Sequence, residues 1–591
     1  MVKPLKIILS GLGLVFLVLA SLQSLPAPKS KNIQTTVPTQ LPTSASPVLF
    51  EPLPDINNVP LQDNQELYKS DDPTSVVYMY ITVREGNLLD NTDHTWAQVN
   101  SYSKWIGGAP SEVVVGKAEV ILQIGDESGP LPGNVGYAET VPNATIQIRG
   151  NSTSAKPTKN YKIEFLPGAG EWRGQTTLDL NKHLFDDVRA RNKLAFDLLK
   201  QIPNMTSLRT QFVRLFVKDE TTDPPRTTFV DYGLFTQVEQ PNKRFLRNHL
   251  LDAEGQLYKA NYFEFFRYPE QIRLASDPLY DELAFSKILE IKGSNDHTKL
   301  IQMLDDVNNY GIPIEQTFEK YFNADNYFTW LAFNILVGNV DTQSQNFFLY
   351  SPRNSNTWYF LPWDYDGSLY RQANFYQYDN FEKGISNYWG VPLHNRVLKI
   401  DRYRQMLDTK VNQLKAFLTP ERLAGMLQDY KKVTDVYTLQ KPDVDALYAP
   451  LDNYYKSYQE IPNEIQINYE LYLESLDTPM PYFLGTPKRN GDTLIFNWGE
   501  AYDFHAQDIN YHFMVARDWE FKDIVVDKTQ TNITNIQIEP LEPGKYYWRV
   551  IATNELGRTQ LPFDTFFDFA NRIYYSGLKL FSINLDGEVQ E

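Results

Sequence analysis

Four polar side chains in one short stretch have the types and the spacing to do chemistry. Asp341 and Asn346 stand five residues apart, and Asp364 and Asp366 follow in Trp363-Asp364-Tyr365-Asp366-Gly367. Between the two groups lie two apolar runs, Phe347-Phe348-Leu349-Tyr350 and Tyr359-Phe360-Leu361-Pro362, each long enough for a short strand. An antiparallel hairpin built from these runs brings its two polar ends together. Carboxylates and an amide oxygen gathered at one point suit a magnesium ion beside a carboxylate that acts as a base.

The elements that must position this hairpin follow from periodicity. Leu283–Ile291, Thr298–Asn309, Ile314–Tyr321 and Asp325–Leu336 read as apolar-periodic helices before it. Val391–Leu398, Asp401–Leu418, Pro420–Lys431 and Asn463–Ser475 read as helices after it. The first half is richer in strands. Ser75–Val83, Ala118–Ile124, Ala144–Arg149, Asn160–Phe165, Thr210–Lys218 and Tyr232–Val238 carry the β-branched and aromatic residues that strands favour. Helices over Asp187–Gln201 and Lys243–Leu251 complete that half. A β-rich first part and a helical second part with an embedded hairpin make an α+β fold. Between two of the strands, Gly150 to Lys159 forms a small, polar, partly basic tip. Such a tip either wraps a phosphate with its backbone N–H groups and lysines or is an ordinary hairpin loop.

Composition sets the outer limits. The chain has 591 residues, enough for two or more domains. It is 42% hydrophobic and 14% aromatic, which supplies large cores and excludes a disordered protein. The net charge of −17 argues against nucleic-acid or anionic-membrane binding, which needs a basic face. Cysteine is absent, so disulfides, thiolate nucleophiles and cysteine metal sites are excluded. The histidines show no metal-ligand spacing. No G-x-S-x-G elbow supports a serine hydrolase. A glycoside hydrolase using two carboxylates would leave Asn346 without a role.

The chain order gives the remaining domains. Lys3 and Lys6 precede the apolar run Ile7–Leu22, so residues 1–27 read as a signal peptide or an N-terminal membrane anchor, and the protein as exported, secreted or held at the cell surface. Residues 28–74, rich in Pro, Ser and Thr, read as an extended linker. At the other end, Thr493–Trp498, Tyr511–Ala516 and Lys545–Ala552 read as strands of an immunoglobulin or fibronectin type III-like sandwich over 479–568. Trp498 is its expected core tryptophan, with Pro543-Gly544 turning into the last strand. Residues 569–591 form an unassigned tail.

Several pieces recur in order: Arg149-Gly150-Asn151-Ser152 with Pro157-Thr158-Lys159-Asn160-Tyr161-Lys162-Ile163, then Tyr232-Gly233-Leu234-Phe235 with Val238-Glu239-Gln240, then Leu257-Tyr258-Lys259. Asp341, Asn346 and Phe360-Leu361-Pro362-Trp363-Asp364-Tyr365-Asp366 complete the set. In this order they resemble the CotH-type atypical kinases, named for a spore-coat protein, over roughly residues 75–475. The D-x4-N spacing also matches the kinase catalytic loop.

The resemblance implies a two-lobe kinase-like domain that moves the γ-phosphoryl of ATP to Ser or Thr of a protein, with Mg2+ or Mn2+ as cofactor. A coat or envelope protein would be the substrate, and the sandwich would contact a cell-wall or surface polymer. By resemblance, Asp341 is the catalytic base. Asn346 and Asp364 hold the metal, with Asp366 as the other choice for the second ligand. Lys159 or Lys162 touches the nucleotide phosphates. Strand alternation points the two lysines to opposite faces, so only one enters a cleft, and alignment favours Lys159. Arg149 falls on the nucleotide side. Glu239 falls either where a hinge would meet adenine or at a structural strand end. The chain departs from ordinary kinases in three places. No G-x-G-x-x-G precedes Lys159, Asn339-Val340 replaces the His-Arg before the catalytic Asp, and Asp364-Tyr365-Asp366-Gly367 replaces D-F-G. An inactive kinase-like scaffold is therefore the alternative.

Overall fold

The β-branched runs of the first half alternate with polar residues, so each strand has one apolar face to bury. In the computed structural model, which describes residues 50, 53, 59–106, 109–111, 113–372, 378–568 and 573–590, those faces meet inside a closed sheet. Val76–Arg84 pairs in parallel with Thr210–Asp219 and antiparallel with Ala118–Asp126. From Thr210–Asp219 the sheet continues through Val230–Glu239, Thr177–Asn181, Asn160–Phe165 and Ala144–Arg149, and so back to Ala118–Asp126. The closed ring leaves no open edge among these strands. Met79, Ile81, Leu122, Ile146, Ile163, Leu178 and Val213 fill its interior. The outer face carries Arg149, Lys162 and Asp179, with Lys162 directly opposite Asp179 in register.

The second part is organised by the helix Ala324–Val337. It is apolar nearly all round and almost every residue is buried, as suits a central helix. Asn323 caps its start by accepting from the Asn326 N–H. Gly338 ends it in the left-handed conformation at φ 64°, where glycine carries no steric cost. A Cβ there would also meet the Asn468 side chain at 2.8 Å. Asp401–Phe417 and Glu464–Asp477 pack around this helix.

The expected hairpin is present: Phe347–Ser351 pairs with Tyr359–Pro362. It belongs to a four-stranded sheet with Gln256–Ala260 and Leu289–Ile291. The helix expected over 283–291 therefore ends at Ile288. Its last three residues turn into a strand because pairing with Gln256–Ala260 outweighs local helical periodicity.

Two sheets enclose the C-terminal core, with Phe496, Phe513, Trp548 and Phe581 between them. Trp498 is buried but follows the strand Thr493–Asn497. The tail is not separate. Lys579–Ile583 pairs with Gly544–Trp548, so the sandwich continues past residue 568.

The expected export segment lies outside the described residues, as does much of the linker. Residues 59–74 are described and packed. The Tyr68 hydroxyl donates to Asp63 at 2.6 Å and to the Ser207 carbonyl at 3.1 Å, and the Asn64 amide donates to the Asn248 carbonyl at 2.8 Å. The linker thus ends earlier than its composition suggests, because its few polar anchors find partners on the folded unit. Among the described residues, no helix is long and apolar enough to cross a membrane.

Candidate functional site

The central helix delivers the first carboxylate. After Gly338 the chain makes a short 3-10 turn, Val340–Thr342, that carries Asp341. This turn is tied down from several sides. The Asn387 amide donates to the Val340 carbonyl at 2.9 Å, and the Thr342 hydroxyl donates to the Asn339 carbonyl at 2.8 Å. The Phe263 N–H donates to the Ser344 carbonyl at 2.7 Å. The second carboxylate loop is tied to the first. The Asn339 amide donates to the Asp364 carbonyl at 3.2 Å, and the Leu369 N–H donates to the Val337 carbonyl at 2.7 Å.

The helix Arg191–Leu199 braces that second loop from behind. Asn192 accepts from the Tyr365 N–H at 3.1 Å. Arg191 donates to the Leu369 carbonyl at 3.1 Å and stands 3.8 Å from the Tyr370 ring centre. Asp186 fixes Arg191 in turn, accepting from its guanidinium at 2.6 Å.

Non-glycine residues with left-handed backbone collect here. His183 has φ 47°, Asn346 φ 59° and Asp364 φ 54°. Each such conformation costs on the order of 1–3 kcal/mol and persists only where its surroundings hold it. His183 is held by Arg189, whose guanidinium donates to the carbonyls of Lys182 and His183.

The three carboxylates act on one another. Burial pushes Asp341 up to about 7, and the charges of Asp366 and Asp364 add to the rise. Burial also pushes Asp364 up to about 7, with Asp366 adding to it, while Arg149, Lys259 and His183 pull it back. The His183 ring nitrogen Nδ1 stands 4.0 Å from an Asp366 carboxylate oxygen. All three aspartates keep partial exposure, so solvent reaches the place where they gather. A carboxylate poised near neutral pH suits a general base. Like charges held together in a desolvated place favour a cation between them.

Among the described residues, no three His, Asp or Glu side chains form a ready metal cage. The donors present fit an ion such as Mg2+, which takes one or two protein carboxylates and completes its shell with phosphate oxygens and water. They do not fit an all-protein site.

The barrel's outer face supplies the opposite wall. Arg149 Nε lies 3.3 Å from an Asp179 oxygen, and its guanidinium also bonds the Asn181 side-chain oxygen. It stands 5.8 Å from the Trp363 ring centre, beside Asp364. Lys162 shares that face and pairs with Glu164 at 2.7 Å. Lys159 does not point into the cleft. Its ammonium donates to the Ser154 and Tyr102 carbonyls and so holds the 150s loop together. Of the two lysines, the structure therefore places Lys162 on the cleft face, against the choice that alignment favours.

Glu239 is not in the cleft either. It pairs with Leu178, whose side chain fills the barrel interior, and so faces the opposite side of the sheet from Asp179. Arg209 Nε donates to its Oε2 at 3.0 Å, and His249 Nε2 lies 3.0 Å from the same oxygen. Asp63 closes the set, 2.6 Å from His249 Nδ1. Burial opposes ionisation here, yet His249 and Arg209 hold Glu239 down at about 2. The expected adenine contact gives way to the structural role, because both carboxylate oxygens are engaged within the protein.

Thus Asp341, Asp364, Asp366, Arg149 and Lys162 are brought to one cleft, with Asn346 at the foot of the hairpin. Lys159 and Glu239 are not. Sequence reasoning missed Asp179, His183, Asn192 and Lys259. Lys259 stood within a matched piece, and Asp179 is the register partner of Lys162. His183 gave no local signal.

A family model described as "CotH kinase protein" matches residues 146–472. The "Inner spore coat protein H" of Bacillus subtilis (strain 168) is 23% identical over 254 residues, covering 42% of this chain and 65% of that relative. The match thus spans less than two thirds of the relative's length. The family match covers more than half of the chain and contains every cleft residue named above, so the chain belongs to the CotH kinase protein family.

Proposed function

We propose that the protein is an exported atypical kinase that transfers the γ-phosphoryl group of ATP to a Ser or Thr hydroxyl of a protein. The observation that carries this reading is that the turn bearing Asp341 is tied through Asn339 to the Asp364 loop, beside Asp366 and facing the Arg149 guanidinium across the Trp363 ring. Such a site takes up a proton at one place and a cation at another, and it offers positive charge to phosphates.

In this reading Asp341 accepts the proton of the attacking hydroxyl. The substrate oxygen forms the new bond to the γ-phosphorus, the bond to the bridging oxygen breaks, and ADP leaves with the electron pair. Asn346 and Asp364 would hold the metal, with Asp366 as the other candidate. When bound, Mg2+ or Mn2+ neutralises charge on the phosphates. Arg149 and Lys162 orient the nucleotide from the barrel side. Asn339 and Asn192 keep the two carboxylate loops in place.

Residues 75–475 would form the kinase-like domain, with the closed barrel as its first lobe. The C-terminal sandwich would be a fibronectin type III-like module for a surface polymer. Residues 1–27 would direct export or anchor the chain. The name of the Bacillus relative suggests a coat or envelope protein as substrate.

The test is transfer of labelled phosphate from ATP, with Mg2+ or Mn2+, to the protein itself or to a Ser-rich protein. Asp341→Ala and Asp364→Ala should each abolish labelling. Full labelling by both variants would sink the kinase reading and favour a scaffold.

A further inference from the structure

The chain between the second carboxylate loop and the helix Pro392–Leu398 touches the C-terminal sandwich at both of its ends. At its start, Asp379 accepts from the Ser576 hydroxyl, and Asn380 accepts from the Leu561 N–H at 3.4 Å. The buried Phe381 ring stands edge-on to Phe563, with 4.8 Å between ring centres. At its end, Trp389 packs on Tyr502 at 5.4 Å and on Phe504 at 5.6 Å. Phe563 reaches this end too, since a Cβ on Gly390 would meet its ring at 3.5 Å. One side chain of the sandwich therefore bears on both ends of the segment. Phe563 is itself fixed within the sandwich. Its N–H donates to the Tyr482 carbonyl at 2.8 Å, and its ring stacks on Phe483 at 4.9 Å.

Between these two clamps the segment reaches the candidate site. The Asn387 amide donates to the Val340 carbonyl at 2.9 Å, and the Tyr388 and Thr342 hydroxyls are 2.7 Å apart. Thr342 gives its own proton to the Asn339 carbonyl, so Tyr388 is the donor in that pair. Val340 and Thr342 flank Asp341, and Asn387, Tyr388 and Thr342 are buried. A second tie runs to the loop after Asp366, where the Arg371 guanidinium bonds the Glu382 carbonyl and stands 3.6 Å from the Tyr378 ring centre. Residues 378–390 carry one 3-10 turn, Ser386–Tyr388, and no α-helix or strand. Fixing so irregular a stretch costs conformational entropy at every residue, and contacts from outside must offset it. The family match ends at residue 472, so these contacts join the matched part to a part beyond it.

We infer that the C-terminal sandwich is a positioning element of the catalytic site: it clamps residues 378–390 at both ends, and the clamped segment sets the turn bearing Asp341 through Asn387 and Tyr388. Phe563 and Ser576 are then positioning residues that act through this segment. The kinetic consequence rests on the kinase reading; the clamp itself does not.

The test uses the full chain as wild type, Phe563→Ala, Phe563→Leu, Tyr388→Phe and the double variant Phe563→Ala with Tyr388→Phe. Hydrogen exchange without nucleotide is the first readout. In Phe563→Ala, amides of residues 338–346 and 378–390 should exchange about tenfold faster, while the barrel strands Ala144–Arg149 and Asn160–Phe165 keep the wild-type rate. Phosphate transfer from ATP is the second. In Phe563→Ala, kcat should fall about tenfold with KM for ATP within about twofold, because the turn is misplaced and the nucleotide side is untouched. Phe563→Leu should restore most of both. Tyr388→Phe should repeat the kcat loss, and the double variant should lose less than the product of the two single losses, since both act through one segment. Unchanged exchange over residues 338–346 in Phe563→Ala overturns the inference, and so does faster exchange spread evenly into the barrel strands. A wild type that transfers no phosphate sinks the kinase reading and leaves the exchange result to decide the clamp.

Discussion

Two groups of buried charge sit on opposite sides of the barrel wall, and they differ in one respect. At the barrel mouth, Glu239, His249, Arg209 and Asp63 are fully paired. Glu239 falls to about 2, His249 rises to about 9 against the effect of burial, and Arg209 rises as well. In the cleft, Asp341, Asp364 and Asp366 face one another, and Asp341 and Asp364 rise to about 7. Burial is common to both. Pairing is not. A buried carboxylate with its partners in place holds structure together, whereas carboxylates that lack them wait for a proton or a cation. Glu239 and Asp341 look alike in sequence, as single acids at strand or loop ends. Only the pairing separates them.

The largest effect should come from breaking the paired group. Glu239→Ala leaves buried Arg209 without its carboxylate and His249 with Asp63 alone, and should lower unfolding free energy by about 3–5 kcal/mol in denaturant titration. A loss below about 1 kcal/mol would erase the contrast.

Asp341→Asn should act in the opposite sense. The folded state holds a proton on Asp341 that the unfolded chain releases near its ordinary value. Stability therefore falls as pH rises from about 4 to about 7 and stays level above. At pH 8 the variant should be more stable than the wild type by on the order of 1–2 kcal/mol, as expected where a function-bearing strain is relieved. Below pH 4 the difference should vanish. A variant less stable at pH 8 would show that the carboxylate is paired after all.

Asn192→Ala tests the brace behind the second loop. It orphans the buried Tyr365 N–H and should cost about 1–3 kcal/mol of stability. It should also weaken labelling, since Asp364 loses its support. Unchanged labelling would limit Asn192 to packing.

The smallest effect belongs to the exposed pair Lys441–Asp445, with side chains 81% and 61% exposed. Lys441→Ala should change stability by less than about 0.5 kcal/mol, setting the baseline against which the buried groups are read.

Much of this arrangement was legible in the chain. The hairpin, its flanking carboxylates and the strands Ala144–Arg149 and Asn160–Phe165 appear where composition and alternation put them. What escaped depended on distant pairing. Closure of the barrel needs Val76–Arg84 to reach Thr210–Asp219, and no local pattern encodes that. Leu289–Ile291 reads as helix until its partner strand is known. Alternation sets Lys159 and Lys162 on opposite faces without saying which faces the cleft, and the carbonyls that hold the Lys159 ammonium, from Ser154 and Tyr102, are not visible from local pattern. Residues 59–74 look like linker because few of them are apolar, yet Asp63 completes the cluster at the barrel mouth.

The central claim is that the cleft acids divide their work: one takes a proton, another holds a metal. Electron paramagnetic resonance of Mn2+ in the presence of ATP tests it most directly. Protein-bound manganese is expected in the wild type, retained in Asp341→Asn and lost in Asp364→Asn. Equal manganese binding by Asp364→Asn and wild type would contradict it.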